Sequence, residues 1–427
     1  MGIDVLDLID KKDGNSEAVR ESQRRRFANV ELVNECIGQY DAWVKLSFDL
    51  DQVRKETNKI QKDIGLKKKN KENADELLRE KSQLDAQAKS LKENEQRAED
   101  ELRAKVATIG NLVHASVPTS DNEDNNTQIK TWHPEGPNAK VQKRDDILSH
   151  HEVMHRLDIL DQDRGTKVAG HRGFFLINDG VDLNQALITY GLDFLRKRGY
   201  KKVMTPFMMR RNMMAKTAQL SEFDEALYKL EGREGDNEDE KYLIATSEQP
   251  LSAYHADEWF EKPETQLPLR YAGYSTCFRK EAGSHGRDTW GIFRIHQFEK
   301  IEQVNLASFC VTDPEKSWEM FDSMIDASED FYQSLGLPYQ LVAIVSGALN
   351  NAAAKKYDLE AWFPYQGEYK ELADRRVVYW TRVKKPGGKT PEGMVIPEAL
   401  RPYMQNRDFI PYVRKDLPKG STSTKKK

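Results

Sequence analysis

Cysteine is scarce: Cys36, Cys277 and Cys310 are the whole complement, and they lie far apart with no Cys-x-x-Cys pair. That excludes a zinc framework of paired thiolates and a disulfide-stapled small fold, and it fits a reducing compartment. Long apolar runs are missing as well, so no membrane helix is expected. The chain opens with neither a signal peptide nor an Arg- and Ser-rich transit segment, and Leu6 stands where a myristoylation signal needs Ser or Thr. The expected location is therefore cytoplasmic, with no membrane partner. A dominant charge sign is missing too. The net charge is only −4, so any contact with nucleic acid must come from local basic clusters.

Charge itself is abundant. Charged residues make up 32% of the chain against 38% hydrophobic, which suggests a long solvated helical part beside a true core. With 427 residues, two or three domains are expected. Residues 1–39 are mixed and contain Arg24, Arg25 and Arg26 in a row. A heptad rhythm then begins: Trp43, Leu46, Leu50, Val53, Thr57, Ile60 and Ile64 step by three and four. After a polar break at 65–73, Leu77, Leu84, Ala88, Leu91, Ala98, Leu102 and Ile109 resume it, interrupted by Lys81, Glu95 and Lys105. Two apolar seams joined by a short turn predict an antiparallel helical hairpin. A helix over 41–66 would span roughly 40 Å. Neither seam contains proline, so the rods should be unbroken. The turn carries Lys67, Lys68, Lys69 and Lys71, a tip suited to phosphates through counterion release. Such an arm serves either as an oligomerising coiled coil or as a lever that grips something distant.

Residues 118–141 are rich in Asn, Asp, Pro and Gly and read as a linker. Beyond it, 150–163 is expected as a helix, 170–175 as the start of a strand, 183–198 as a helix stopped by Gly199, and 201–209 as a strand containing Pro206. Proline suits a sheet edge. Residues 232–240 are expected as an acidic hairpin tip. Thr246, Ser247 and Glu248 end a strand and open a helix, a pattern that by itself predicts an N-cap.

The densest chemistry lies at 278–303, FRKEAGSHGRDTWGIFRIHQFEKIEQ. Its ends read as strands and its middle as a loop punctuated by Gly283, Gly286 and Gly291. Strand alternation puts Arg279 and Glu281 on one face and sends Phe278 and Lys280 to the other. The return segment adds Arg294, His296, Glu299 and Glu302. Guanidinium groups suit phosphate or carboxylate because their planar fork donates two parallel hydrogen bonds. By charge alone, a solvated hairpin laced with salt bridges is the favoured reading.

The wording of this stretch resembles the second signature motif of the class II aminoacyl-tRNA synthetases, in the seryl version found in the eukaryotic cytosol and in fungi. The resemblance implies an α+β protein: an N-terminal antiparallel helical hairpin, then an antiparallel β-sheet domain flanked by helices. It implies ATP-dependent activation of L-serine to seryl-adenylate and transfer to the 3′ end of tRNA(Ser). Arg279 would lie between the serine carboxylate and the α-phosphate as the catalytic cation. Thr246, Arg279 and Glu302 would hold serine. Arg279, Lys280, Glu281, Ile295, His296, Gln297, Phe298 and Glu371 would bind ATP, with Glu371 also meeting Mg2+ on the nucleotide. The loop 284–288 would meet the acceptor end. Lys67, Lys68, Lys69 and Lys71 would contact tRNA, and a homodimer would form through 183–209. The segments 345–356 (VSGALNNAAAKK) and 357–371 (YDLEAWFPYQGEYKE) match the family as well.

The resemblance breaks in two places. Residues 304–308 (VNLAS) are extra and are expected to distort the strand beyond Glu302. After Glu371 and Leu372 the third signature motif, a strand and a helix carrying an arginine, is missing. Residues 373–393 stand in its place, and Arg375, Arg376 and Arg382 have no spacing that marks them as substitutes. The loss should leave unpaired strand edges. An alternative is therefore open: a tRNA-binding or dimerising protein without adenylation. The expected domains are 1–117, the linker 118–141, the catalytic domain 142–410 and a basic flexible tail 411–427.

Overall fold

The computed structural model describes residues 3–217, 226–232, 240–281, 291–306, 315–371 and 392–418. Most of the acidic tip, the loop 284–288, Ser308, Cys310, most of the replacement segment and the final lysine-rich residues lie outside the described residues. The chain divides into two compact units, one of residues 1–127 with 343–357, the other of 128–342 with 358–427.

The first unit is helical. Helix α1 (Ser16–Arg25) is followed by α2 (Glu31–Lys69) and α3 (Asp75–Val106). Val33, Cys36, Leu102, Val106 and Ile109 close its base, and Ile60, Ile64 and Ala74 close its tip with Leu77 and Leu84. Helix α2 starts well before the heptads and passes through Gly65, where the polar break was expected. Nothing lies within 4 Å of a Cβ built at Gly65, so helix continuation costs no packing there. Lys67, Lys68 and Lys69 occupy the last turn of α2, where cations meet the negative end of the helix dipole. Lys71 adopts the left-handed conformation in the turn. All four lysines are exposed.

The Arg24–Arg26 run is part of this unit's frame. Arg26 is only 7% exposed. Its guanidinium donates to the carbonyls of Asn111, Leu349, Asn350 and Ala353. Arg25 donates to the carbonyls of Val113, His114 and Val117. These two arginines thereby tie the end of α1 to the chain leaving α3, and Arg26 also ties it to 349–353.

The second unit is mixed. Its helices include α4 (His150–Leu157), α5 (Gln162–Ala169) and α6 (Asp179–Lys197). The expected single helix over 150–163 is broken, because Asp158 is left-handed and the short strand β2 (Leu160–Asp161) follows, paired with β3 (Phe175–Leu176). Strand β1 (Thr127–Trp132) precedes these helices. The expected strand over 201–209 is also two pieces. β4 (Lys201–Met204) and β5 (Met208–Arg210) enter different sheets, with Pro206 between them.

Strands β6 (Lys229–Leu230) and β7 (Lys241–Leu243) form a small sheet with β5. The central sheet has the order β4–β8–β9, with β8 (Leu269–Phe278) antiparallel to β9 (Gln297–Leu306) and parallel to β4. A four-stranded sheet joins β1, β10 (Tyr339–Ala343), β11 (Tyr357–Phe363) and β12 (Glu368–Glu371) in that order. Strands β13 (Gly393–Val395) and β14 (Phe409–Pro411) pair at the end of the unit. The core around α4 and α6 includes Val153, Met154, Leu157, Leu183, Ile295, Phe298, Met394 and Leu400.

The described part of the extra segment, 304–306, continues β9 without a break. Val304 and Asn305 pair in register with Tyr271 and Arg270 up to Leu306. Among the described residues β9 has β8 as its single neighbour, and β12 has β11.

Candidate active site

The register of the β8–β9 hairpin sorts its side chains. Gly273 lies opposite Glu302, Ser275 opposite Lys300 and Cys277 opposite Phe298. Directly opposed residues share a face, so Phe298, Lys300 and Glu302 form one row on one side of the sheet. Glu299 falls on the other side, where Asn184 of α6 reaches it at 3.5 Å. Glu299 and Glu302, named together in the sequence, are three residues apart, and that odd spacing puts them on opposite faces.

At the Phe298 end the hairpin leaves regular strand geometry. Arg279 lies just past β8, and its backbone N–H donates to the His296 carbonyl at 3.0 Å. The His296 Nδ1 lies 2.9 Å from the Arg279 carbonyl oxygen. Glu281 is left-handed, with φ 52°. This twist, rather than strand alternation, brings Glu281 back beside Arg279. Arg279, Glu281, Phe293, Arg294, Ile295, Phe298 and Glu371 line one cavity. The Arg279 guanidinium carbon is 5.2 Å from the Phe298 ring centroid. Arg294 approaches Glu281 at 3.6 Å. Glu371 arrives from the last position of β12.

Of the expected nucleotide set, Arg279, Glu281, Ile295, Phe298 and Glu371 line this cavity. Lys280, His296 and Gln297 are not among its lining residues. The Lys280 backbone pairs with Ala226, His296 braces Arg279, and Gln297 is exposed. Phe293 was missed by sequence reasoning, and Arg294, singled out in the hairpin, was not among the expected nucleotide residues. They lie in an irregular segment, where no alternation assigns a face.

Four residues farther along β9, roughly 13 Å at strand rise, stands the second cluster. Thr246 Oγ1 donates to Glu302 Oε2 at 2.7 Å, and Lys300 Nζ reaches the same oxygen at 2.7 Å. Ser247 occupies the N-cap of the helix Glu248–Ser252 but makes no side-chain cap bond. Thr246 Oγ1 instead accepts from the Glu248 backbone N–H at 3.2 Å. Glu248 stands beside Thr246 and Ser247 in the stretch that the sequence marks, but the sequence gives its side chain no role of its own. Loss of water around its carboxyl, and then the neighbouring Glu302 carboxylate, hold its pKa above the usual glutamate value. Lys300 was also missed, although the two-residue step between Phe298 and Glu302 marks it.

The floor therefore offers a cation-and-aromatic pocket at one end and a hydroxyl, an ammonium and carboxylates at the other. Among the described residues no group of three or more His, Cys, Asp or Glu side chains is arranged to hold a metal ion. A cation that arrives already bound to phosphates needs one or two carboxylates. Glu371, with Glu281 nearby in the same cavity, fits that demand.

The chain is similar to known proteins along nearly its whole length. The seryl-tRNA synthetase N-terminal domain family matches residues 5–113, and the tRNA synthetase class II core domain (G, H, P, S and T) matches residues 228–380. The chain is 52% identical to the cytoplasmic serine–tRNA ligase of Saccharomyces cerevisiae, with 100% of this chain and 99% of the relative covered. That alignment runs over 467 positions, more than the 427 residues available here, so part of the relative has no counterpart in this chain. The cytoplasmic serine–tRNA ligase of Schizosaccharomyces pombe is 54% identical, with 98% of each covered. Among solved structures, the cytoplasmic serine–tRNA ligase from Naegleria fowleri in complex with AMP matches with TM-score 0.80 and 38% identity, covering 97% of this chain and 100% of that one. The seryl-tRNA synthetase from Pyrococcus horikoshii complexed with ATP matches with TM-score 0.75 and 29% identity, over 94% of this chain and 98% of that one.

Proposed function

The chain belongs to the seryl-tRNA synthetase family, and from that premise we propose how its own residues divide the work of a cytoplasmic serine–tRNA ligase. The observation that carries the assignment is the single row Phe298, Lys300, Glu302 on one sheet face, with Arg279 over the first residue and Thr246 on the last. A nucleotide and a small hydroxylated amino acid can lie along that row end to end.

In the first step a serine carboxylate oxygen attacks the α-phosphorus of ATP, the bond to the β-phosphate oxygen breaks, and pyrophosphate leaves. Negative charge crowds at the α-phosphate, and a fixed guanidinium there is the largest single aid. Arg279 supplies it. Phe298 and Ile295 give the nucleobase an apolar seat, and Glu281 faces the adenine. Arg294 adds a second cation in the same cavity. Glu371 would hold Mg2+, which neutralises phosphate charge when bound. At the other end Thr246, Glu248 and Glu302 receive the serine ammonium and hydroxyl. A buried site that pairs with a hydroxyl rejects alanine, which would leave its partners unmatched.

In the second step a hydroxyl of the terminal tRNA adenosine attacks the seryl carbonyl and AMP departs. The exposed lysines Lys67, Lys68, Lys69 and Lys71 at the arm tip offer a sequence-tolerant hold on tRNA(Ser) phosphates. A homodimer through 183–209 is supported by Met204 and Met208, which are 69% and 47% exposed.

Serine-dependent exchange of pyrophosphate into ATP is the test. Exchange that needs serine, ATP and Mg2+ together is expected. Its absence in a chain that still retains tRNA would favour the binding protein without adenylation, for which no observation here speaks.

A further inference from the structure

We infer that Gly273 is the positioning residue of the serine pocket: its missing side chain sets how closely Thr246 approaches Glu302. The inference rests on the assignment of that pocket to serine. Gly273 sits on β8 directly opposite Glu302, so a side chain there would rise from the same face. A Cβ at this position would lie 2.5 Å from Leu251 Cδ1, 2.7 Å from Ser247 Oγ and 3.2 Å from Ser247 Cβ. Both neighbours are buried, Leu251 at 4% exposure and Ser247 at 0%. The helix Glu248–Ser252 and the residue before it therefore rest on the bare backbone of Gly273.

The two ends of this contact are pinned. On one side Thr246 is bonded to Glu302 at 2.7 Å. On the other, beyond the helix, His255 Nε2 lies 2.7 Å from the Tyr271 hydroxyl, and His255 Nδ1 is bonded to Glu258. Tyr271 is two residues before Gly273 and on the same face. The segment spans from one anchor to the other with Gly273 beneath its middle. Leu251 can turn its terminal methyl aside, but Ser247 Cβ is fixed to the backbone next to Thr246. A methyl at 273 pushes Ser247 Cβ, 3.2 Å away, and the backbone that carries it by a few tenths of an ångström, and the Thr246–Glu302 contact opens. Gly273 touches no substrate in this scheme and acts through Thr246.

The experiment is Gly273→Ala in the full chain, assayed by serine-dependent pyrophosphate exchange. The serine KM should rise about 10- to 100-fold, the cost of misplacing a binding group by a fraction of an ångström to an ångström. The ATP KM should stay within about twofold, because the Phe298 end of the row is roughly 13 Å away. Ser247 Oγ has no hydrogen-bond partner among the described residues, and glycine is tolerated at an N-cap. Ser247→Gly removes the two Ser247 atoms and leaves only the Leu251 methyl, which can turn aside, so the double variant should recover most of the serine KM. Binding of a seryl-adenylate analogue, measured by calorimetry on the same variants, should move in parallel. An inactive parent chain would count against the ligase reading, while the analogue would still decide the positioning claim. A serine KM within about twofold of the parent overturns the inference. So does a rise in serine and ATP KM together that Ser247→Gly fails to rescue.

Discussion

Thr246 and Glu302 are 56 residues apart in the chain and 2.7 Å apart in space. The bond joins the loop before a short helix to the far end of the β8–β9 hairpin, and Lys300 closes on the same carboxylate oxygen. Replacing Glu302 by alanine removes the acceptor for both. A hydrogen bond to a charged group contributes about 1.5–3 kcal/mol, so the serine KM should rise roughly 10- to 150-fold while the ATP KM moves little. Equal rises in both constants would count against a role confined to serine.

Arg279 braces its backbone against His296 and holds its side chain near Phe298. Arg279→Ala should lower the rate of adenylate formation by about 100- to 1000-fold, the usual loss for a preorganised charge at a reacting centre. Affinity for tRNA, measured by filter retention, should be nearly unchanged. Parallel loss of both would show that the side chain supports the fold rather than the chemistry.

The raised pKa of Glu248 gives the serine step an acid limb. Although Glu248 is exposed as a residue, loss of water around its carboxyl and the Glu302 carboxylate lift this group above the ordinary value of 4.5, so its anion is lost as the pH falls through the lifted value. Serine brings an ammonium, so kcat/KM for serine should decline on acidification from a point above pH 4.5. Glu248→Gln should flatten that limb in a pH profile taken at saturating ATP. An unaltered limb would assign the titration to another group.

Arg26 is a structural cation. Its burial pushes its pKa down, and four carbonyls receive its N–H groups. Arg26→Met would strand those acceptors, at about 1–3 kcal/mol for each one left unsatisfied. Urea unfolding followed by circular dichroism should show a loss of about 3 kcal/mol or more. The salt dependence of tRNA binding should keep its slope, because this arginine is not offered to phosphates.

The arm-tip lysines make the opposite case. Changing Lys67, Lys68, Lys69 and Lys71 to glutamine should weaken tRNA binding and flatten its dependence on salt, since each phosphate contact contributes about 0.7–0.9 to the slope of log K on log salt. Stability and serine-dependent exchange should not move. An unchanged slope would place the tRNA contact elsewhere on the chain.

The sequence by itself determined the features with a short repeat. The heptads around Leu50, Val53, Ile60 and Ile64 dictate a two-helix arm because a 3.6-residue turn stacks them on one face. The period of two fixes Phe298, Lys300 and Glu302 as a row, and the wording of 278–303 ties that row to one family. Tertiary structure decided what no period encodes. It put Thr246 over Glu302, brought Glu371 from β12 to Arg279, and turned Glu281 back through a left-handed residue. It separated Glu299 from Glu302, split 201–209 between two sheets, and made Arg26 a clamp. Alternation tells which side of a sheet a residue takes, but what packs on that side depends on segments far away in the chain. That choice is made by burial and by the pairing of polar groups, and both exist only once the chain has folded.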